Sequence, residues 1–200
     1  MHQLEAQWAI IPVQHAGAAR EGGHRALVTL EWPEYFAADP WLALLLPTRD
    51  YNAELLAALA GTRLPRGAVV GAFLAHPFLD LARLLDAVER AGGAGIAAFP
   101  GITRLTGGFA ATAEQGGLSL ANEALRLQVA AERGFATVAT VGAPGRGPPA
   151  VDLLADWVVA EPRVPRGELP RVRSGVLDYR AGAGSGAWLP LTLRREATPP

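Results

Sequence analysis

The 200-residue chain contains no cysteine and no lysine, a single methionine, and no apolar run long enough to span a membrane. Without cysteine there is no disulfide, no thiolate nucleophile and no thiolate metal site. Without lysine there is no Schiff base and no P-loop phosphate grip; all 18 basic residues are arginines. The formal charge is −1 and no basic block occurs. Nothing electrostatic therefore calls for nucleic acid or an anionic membrane surface as a partner. The opening MHQLEAQWAIIPV carries Glu5 early, lacks a basic segment, and is too short in its apolar part for a signal peptide. The expectation is a soluble cytoplasmic protein.

What is present is apolar sequence in short pieces. Half of the residues are hydrophobic and 18% are charged, which suits one folded domain with a sizeable core. Trp8–Val13 and Arg25–Glu31 read as strands, joined by the Gly/Ala-rich Gln14–Gly23. Trp32–Pro40 reads as an aromatic loop broken by two prolines. A helix fits Tyr51–Ala60, capped by Asp50 or Thr48 and stopped by Gly61.

From Ala68 to Val141 the pattern is most regular. Strands are expected over Ala68–Leu74, Gly95–Phe99 and Ala136–Val141. Pro77 fits the first turn of an intervening helix, with Phe78, Leu81, Leu84, Leu85 and Val88 on one apolar face. Pro100–Gly117 reads as a long glycine-rich loop, and Leu120–Glu132 as a helix. A short helix over Ala150–Ala155 precedes a sixth strand, Asp156–Ala160. After Glu161, proline and arginine suggest an extended linker, and Val176–Tyr179 and Trp188–Leu193 a terminal hairpin or an addition to a sheet edge. The tail REATPP reads as disordered. The natural division is a barrel-like domain over residues 1–162 and a C-terminal segment over 163–200. Alternation of strands and helices is the grammar of a parallel sheet covered by helices, whose chemistry sits in the loops after the strands. A full eight-fold barrel takes about 250 residues, so a ring of six βα units is expected to be incomplete.

Several runs, in unbroken order over residues 8–161, resemble one family. LLPTRDYNA at Leu45–Ala53 resembles its LLPYGDANA. AVVGAFLAHPFLD at Ala68–Asp80 resembles P-V-I-A-G-V-C-G-T-D-P-F-R. GIAAFPGITRLTGGF at Gly95–Phe109 resembles G-V-Q-N-F-P-T-V-G-L-I-D-G-x-F, and AEQGGLSLANE at Ala113–Glu123 resembles L-E-E-T-G-M-G-Y-x-x-E. The family is the phosphoenolpyruvate hydrolase-like TIM-barrel proteins, also described as TIM-barrel signal-transduction proteins, relatives of the phosphoenolpyruvate mutase and isocitrate lyase barrels. The resemblance implies a parallel (β/α) barrel of TIM type and lyase or hydrolase chemistry on a small phosphorylated or carboxylated acid. In the related barrels this chemistry uses Mg²⁺. The chain departs from the pattern at His76, where the family has an acid, at Thr106 within I-D-G, and at Gln14–Gly17, where a glycine-rich turn is reduced to one glycine. The family's H-M-G-L-T is replaced by Glu161-Pro162-Arg163.

The candidate residues follow from these positions. His76 follows a strand and could move protons at neutral pH, or simply cap and pack under the next helix. Asp50 could hold a metal or water, or cap a helix; Glu123 matches a family glutamate, or is an ordinary helix-face charge. Arg49 could clamp an anion with two hydrogen bonds, with Asn52 and Arg104 as further binding residues. Glu31 and Glu161 end strands. The glycines of Gly101–Gly117 could offer N–H groups to an anion, or serve as a connector. His15 and His24 lack metal-ligand spacing. Trp32, Tyr35, Phe36 and Trp41 suggest a lid or an oligomer contact. Two readings stand: an enzyme of the resembled type, with His76, Asp50 and Glu123 catalytic and Mg²⁺ as its metal, or an inactive relative acting as a ligand-binding, regulatory or interaction module. Uncovered strand edges are expected to be covered by the C-terminal segment or by a second subunit, and a homodimer is expected.

Overall fold

The computed structural model describes residues 8–17, 25–31, 50–142, 155–160, 172–179 and 189–193. Eight strands form a closed ring in which sequence neighbours are also neighbours in space. They are β1 (Trp8–Pro12), β2 (Arg25–Thr29), β3 (Val69–Ala72), β4 (Gly95–Ala98), β5 (Ala136–Val141), β6 (Ala155–Ala160), β7 (Val172–Tyr179) and β8 (Leu189–Leu193). Strands β1 to β7 pair in parallel. β8 runs antiparallel to both β7 and β1, and completes the ring between them. The helices described are α1 (Tyr51–Leu59), α2 (Leu81–Arg90), α3 (Gly107–Gln115) and α4 (Leu120–Glu132). The chain is thus α/β with a parallel sheet curled into a ring, as its alternating grammar implies.

Alternation along each strand divides the core in two. Trp8 and Ile10 of β1 belong to a cluster with Leu27, Val69, Phe99 and Leu177, which includes no helix residue and fills the ring's interior. Ala9 and Ile11 belong to the other cluster, with Leu55, Leu84 and Leu127 from the helices, between sheet and outer layer. Each fully buried aliphatic or aromatic side chain contributes roughly 1.5–3 kcal/mol. Both faces of the strands are buried, and this is why they read as continuous apolar runs.

Three helices begin at short polar residues. Asp50 accepts from Ala53 N at 3.0 Å, Asp80 from Arg83 N at 3.0 Å, and Ser119 from Asn122 N at 3.1 Å. Each cap satisfies a backbone donor that the first turn leaves open.

The structure corrects several expectations. Pro77 and Phe78 precede α2, which starts only after the Asp80 cap. Phe78 is 89% exposed, not part of the apolar face. Pro100–Gly117 is not one loop: it holds a 3₁₀ turn, Ile102–Arg104, and α3. Its glycines masked FAATAEQ, a run of good helix formers. On α4, Leu125 and Val129 face outward, whereas Ala124, Leu127 and Ala130 are buried. β6 begins at Ala155, and β7 at Val172 rather than Val176. The residues Ala150–Leu154, 161–171 and the tail lie outside the described residues.

Candidate functional site at the carboxyl ends of the strands

The strands deliver their following loops to one end of the ring, and the helices return polar side chains to hold them. At the start of α1, Tyr51 donates its hydroxyl proton to Gly71 O at 3.1 Å and accepts from Leu30 N at 3.4 Å, which ties β2 to β3. Asn52, 5% exposed, grips the backbone beyond β3 with both ends of its amide. Its Nδ2 donates to Phe73 O at 2.9 Å and its Oδ1 accepts from Phe73 N at 3.1 Å. The same loop is gripped from the far side by α4, whose Arg126 donates to the carbonyls of Leu74, His76 and Pro77. Partial burial lowers the Arg126 pKa from the ordinary guanidinium value, though a guanidinium keeps its charge.

One turn earlier on α4, Glu123 reaches the loop after β4 and accepts from Ile102 N at 2.7 Å. The side chain is buried, and this desolvation pushes its pKa up to about 8, against the opposing effect of the Ile102 hydrogen bond. At neutral pH it is therefore a protonated carboxyl. Next around the ring, Thr140 on β5 donates to Ala98 O at 2.7 Å. It stands so close to Gly101 that a Cβ there would fall 1.9 Å from Thr140 Oγ1. Gly71 is similarly confined, with Phe99 O 2.9 Å from where its Cβ would be. Among the described residues, the buried Thr103 hydroxyl in the 3₁₀ turn has no hydrogen-bond partner. The outcome is a continuous brace of buried polar contacts from β2 to β5 around the mouth.

His76 sits in this braced loop, half-buried, with its ring edge-on to Phe73 and Phe78 at centroid distances of 6.0 Å each. Asp50 is exposed and occupied as the α1 cap. Glu31 is exposed and accepts from Gln14 Nε2 across the β1 and β2 ends. His15 is exposed at the end of the turn after β1. Arg49, Glu161, His24 and the Trp32–Trp41 aromatics lie outside the described residues. The backbone of Arg104 belongs to the 3₁₀ turn. Among the described residues, no three His, Asp or Glu side chains gather in a way that could hold a metal ion. Arg126 and Tyr51, which do much of the bracing, were not singled out from the sequence. Arg126 looks like any helix-face charge, and only its position two turns into α4, level with the β3 loop, explains its use.

The fold and brace define an α/β ring of seven parallel strands closed by the antiparallel β8, with a pre-set mouth at its strand ends. In sequence the chain is 32% identical over 154 residues to the uncharacterized protein y4oT of Sinorhizobium fredii, a match covering 75% of this chain and 79% of that protein. It belongs to the same family as y4oT. No family model matches the sequence. Among the described residues no helix is long and apolar enough to cross a membrane.

Proposed function

We propose that the chain is a ligand-binding barrel of TIM type, related to the phosphoenolpyruvate hydrolase-like proteins, that receives a small carboxylated or phosphorylated acid at the mouth over the β3 and β4 ends. The observation that supports this reading is the commitment of the candidate acids to structure. Asp50 caps α1, and Glu123 is a buried carboxyl bonded to Ile102 N. Mg²⁺ prefers ionised carboxylate oxygens, so these two residues make a poor pair for it. In this reading Asn52, Glu123 and Arg126 are positioning residues, while Arg49 and Arg104 are the cations for the ligand. The braced, closely packed backbone around Gly101 and the buried Thr103 hydroxyl, which has no partner among the described residues, suit a fixed binding surface better than a mobile one.

A second reading keeps catalysis, with His76 moving a proton at the mouth. Its support is the half-exposed ring at a strand end, where barrels place reacting groups. Calorimetry with phosphoenolpyruvate and with oxalate, each with and without Mg²⁺, separates the readings. The binding reading expects heat that does not depend on Mg²⁺ and no phosphate release from phosphoenolpyruvate. Phosphate release that is lost in His76→Asn selects the enzyme reading. No heat and no turnover in any combination refutes both.

A further inference from the structure

On the outer wall, α1 and α2 flank an open groove of about 660 Å³. Ala53 and Ala57, one turn apart on α1, and Ala60 just past its end line it. Arg63, Arg83 and Arg90 stand at its edges, all exposed. Helix α2 is divided by charge. Its acids Asp86 and Glu89 turn toward the end of α4, where Arg133 meets them at 2.9 and 3.5 Å. The arginines lie on the other flank. Neither they nor Arg63 form an ion pair among the described residues. Asp86 and Glu89 are thus engaged by Arg133, and the apolar floor lies between arginines that make no ion pair among the described residues.

We propose that this groove docks an α-helix of a partner protein through an acidic amphipathic face. Arg83 and Arg90 are seven residues apart, roughly 10 Å along the axis. A helix laid beside α2 carries carboxylates at the same interval, with apolar residues between them over the alanines. The small alanine side chains let the two backbones approach closely.

The test uses the full chain and a fluorescein-labelled synthetic helical peptide with Glu at positions i and i+7 and Leu at i+3 and i+4. A scrambled peptide of the same composition is the control. Fluorescence anisotropy is expected to show saturable binding of the patterned peptide only. Arg83→Glu with Arg90→Glu should weaken it by about tenfold or more, since two attractions become two repulsions. Ala57→Trp, which fills the floor and leaves the charge unchanged, should weaken it comparably. Circular dichroism of both variants checks that these surface changes leave the fold intact. Equal binding of the scrambled peptide, or undiminished binding to both variants, overturns the proposal. Displacement of the peptide by inorganic phosphate at constant ionic strength also overturns it and assigns the groove to a small anion.

Discussion

Replacing Glu123 by Gln should stabilise the protein at neutral pH and leave it unchanged in acid. The folded carboxyl has its pKa pushed up from 4.5 to about 8 by burial. Between those values the folded state holds a proton that the unfolded state has released. Stability due to this group is therefore full below about 4.5 and falls as pH rises toward 8. Each unit is about 1.4 kcal/mol, so the whole window is on the order of 5 kcal/mol and the part spent by pH 7 on the order of 3. Gln keeps an oxygen for Ile102 N and has nothing to ionise. Urea unfolding of the two proteins should coincide near pH 4.5 and diverge by about 3 kcal/mol at pH 7. For a chain of this size that is a Tm gap of roughly 6–12 °C. Parallel stability curves for the two proteins between pH 5 and 8 would refute the argument and mean that the carboxyl is solvated in solution.

Asn52→Ala should cost about 1–3 kcal/mol, because it strands the N–H of buried Phe73 and leaves its carbonyl only the 3.4 Å bond from His76 N, read as a lower urea midpoint. Gly101→Ala should destabilise by about 1–3 kcal/mol through its clash with Thr140, and Thr140→Ala in the same chain should recover part of the loss, a coupling a double-mutant cycle would measure. Arg126→Met should speed amide exchange in residues 74–79 more than elsewhere in the described core; uniform exchange across the chain would contradict its role as a local brace. Asp50→Ala should cost about 1 kcal/mol of stability as a lost cap, with ligand heat unchanged in calorimetry. Loss of ligand binding at full stability would return Asp50 to the site.

The strand positions were legible where glycine and apolar alternation agreed. Ala136–Val141 was bounded correctly because Gly134 ends one element and a run of β-branched and small residues forms the next. Leu120–Glu132 was legible for the same reason, with Ser119 as its cap. α3 was not, because two glycines open it and the eye reads glycine as loop. Phe78 was misplaced by periodicity alone: it fits the spacing of α2, but Asp80 caps the helix two residues later. At the mouth, position along the strand ends was readable, and use was not. Glu123 and Asn52 were singled out as chemistry, and the structure shows both holding backbone groups. Sequence spacing places a carboxyl or amide at a strand end, but which atom it meets depends on the approach of a helix and a loop far apart in the chain. Arg126 and Leu74, separated by 52 positions, show this most clearly.

The antiparallel β8 has a kinetic consequence. It pairs with β1, so the first and last strands of the ring are bonded partners, with Trp8 beside Leu191. During synthesis β1 must wait for the whole of the rest to emerge before its second neighbour exists. Contacts of this sequence separation slow folding. Until β8 arrives, the incomplete sheet has two bare edges, on β1 and β7, each able to pair with another chain. The ring's final strand is then a guard against self-association as much as a piece of the wall, and a chain cut short before Leu189 should be lost to aggregation rather than to simple unfolding.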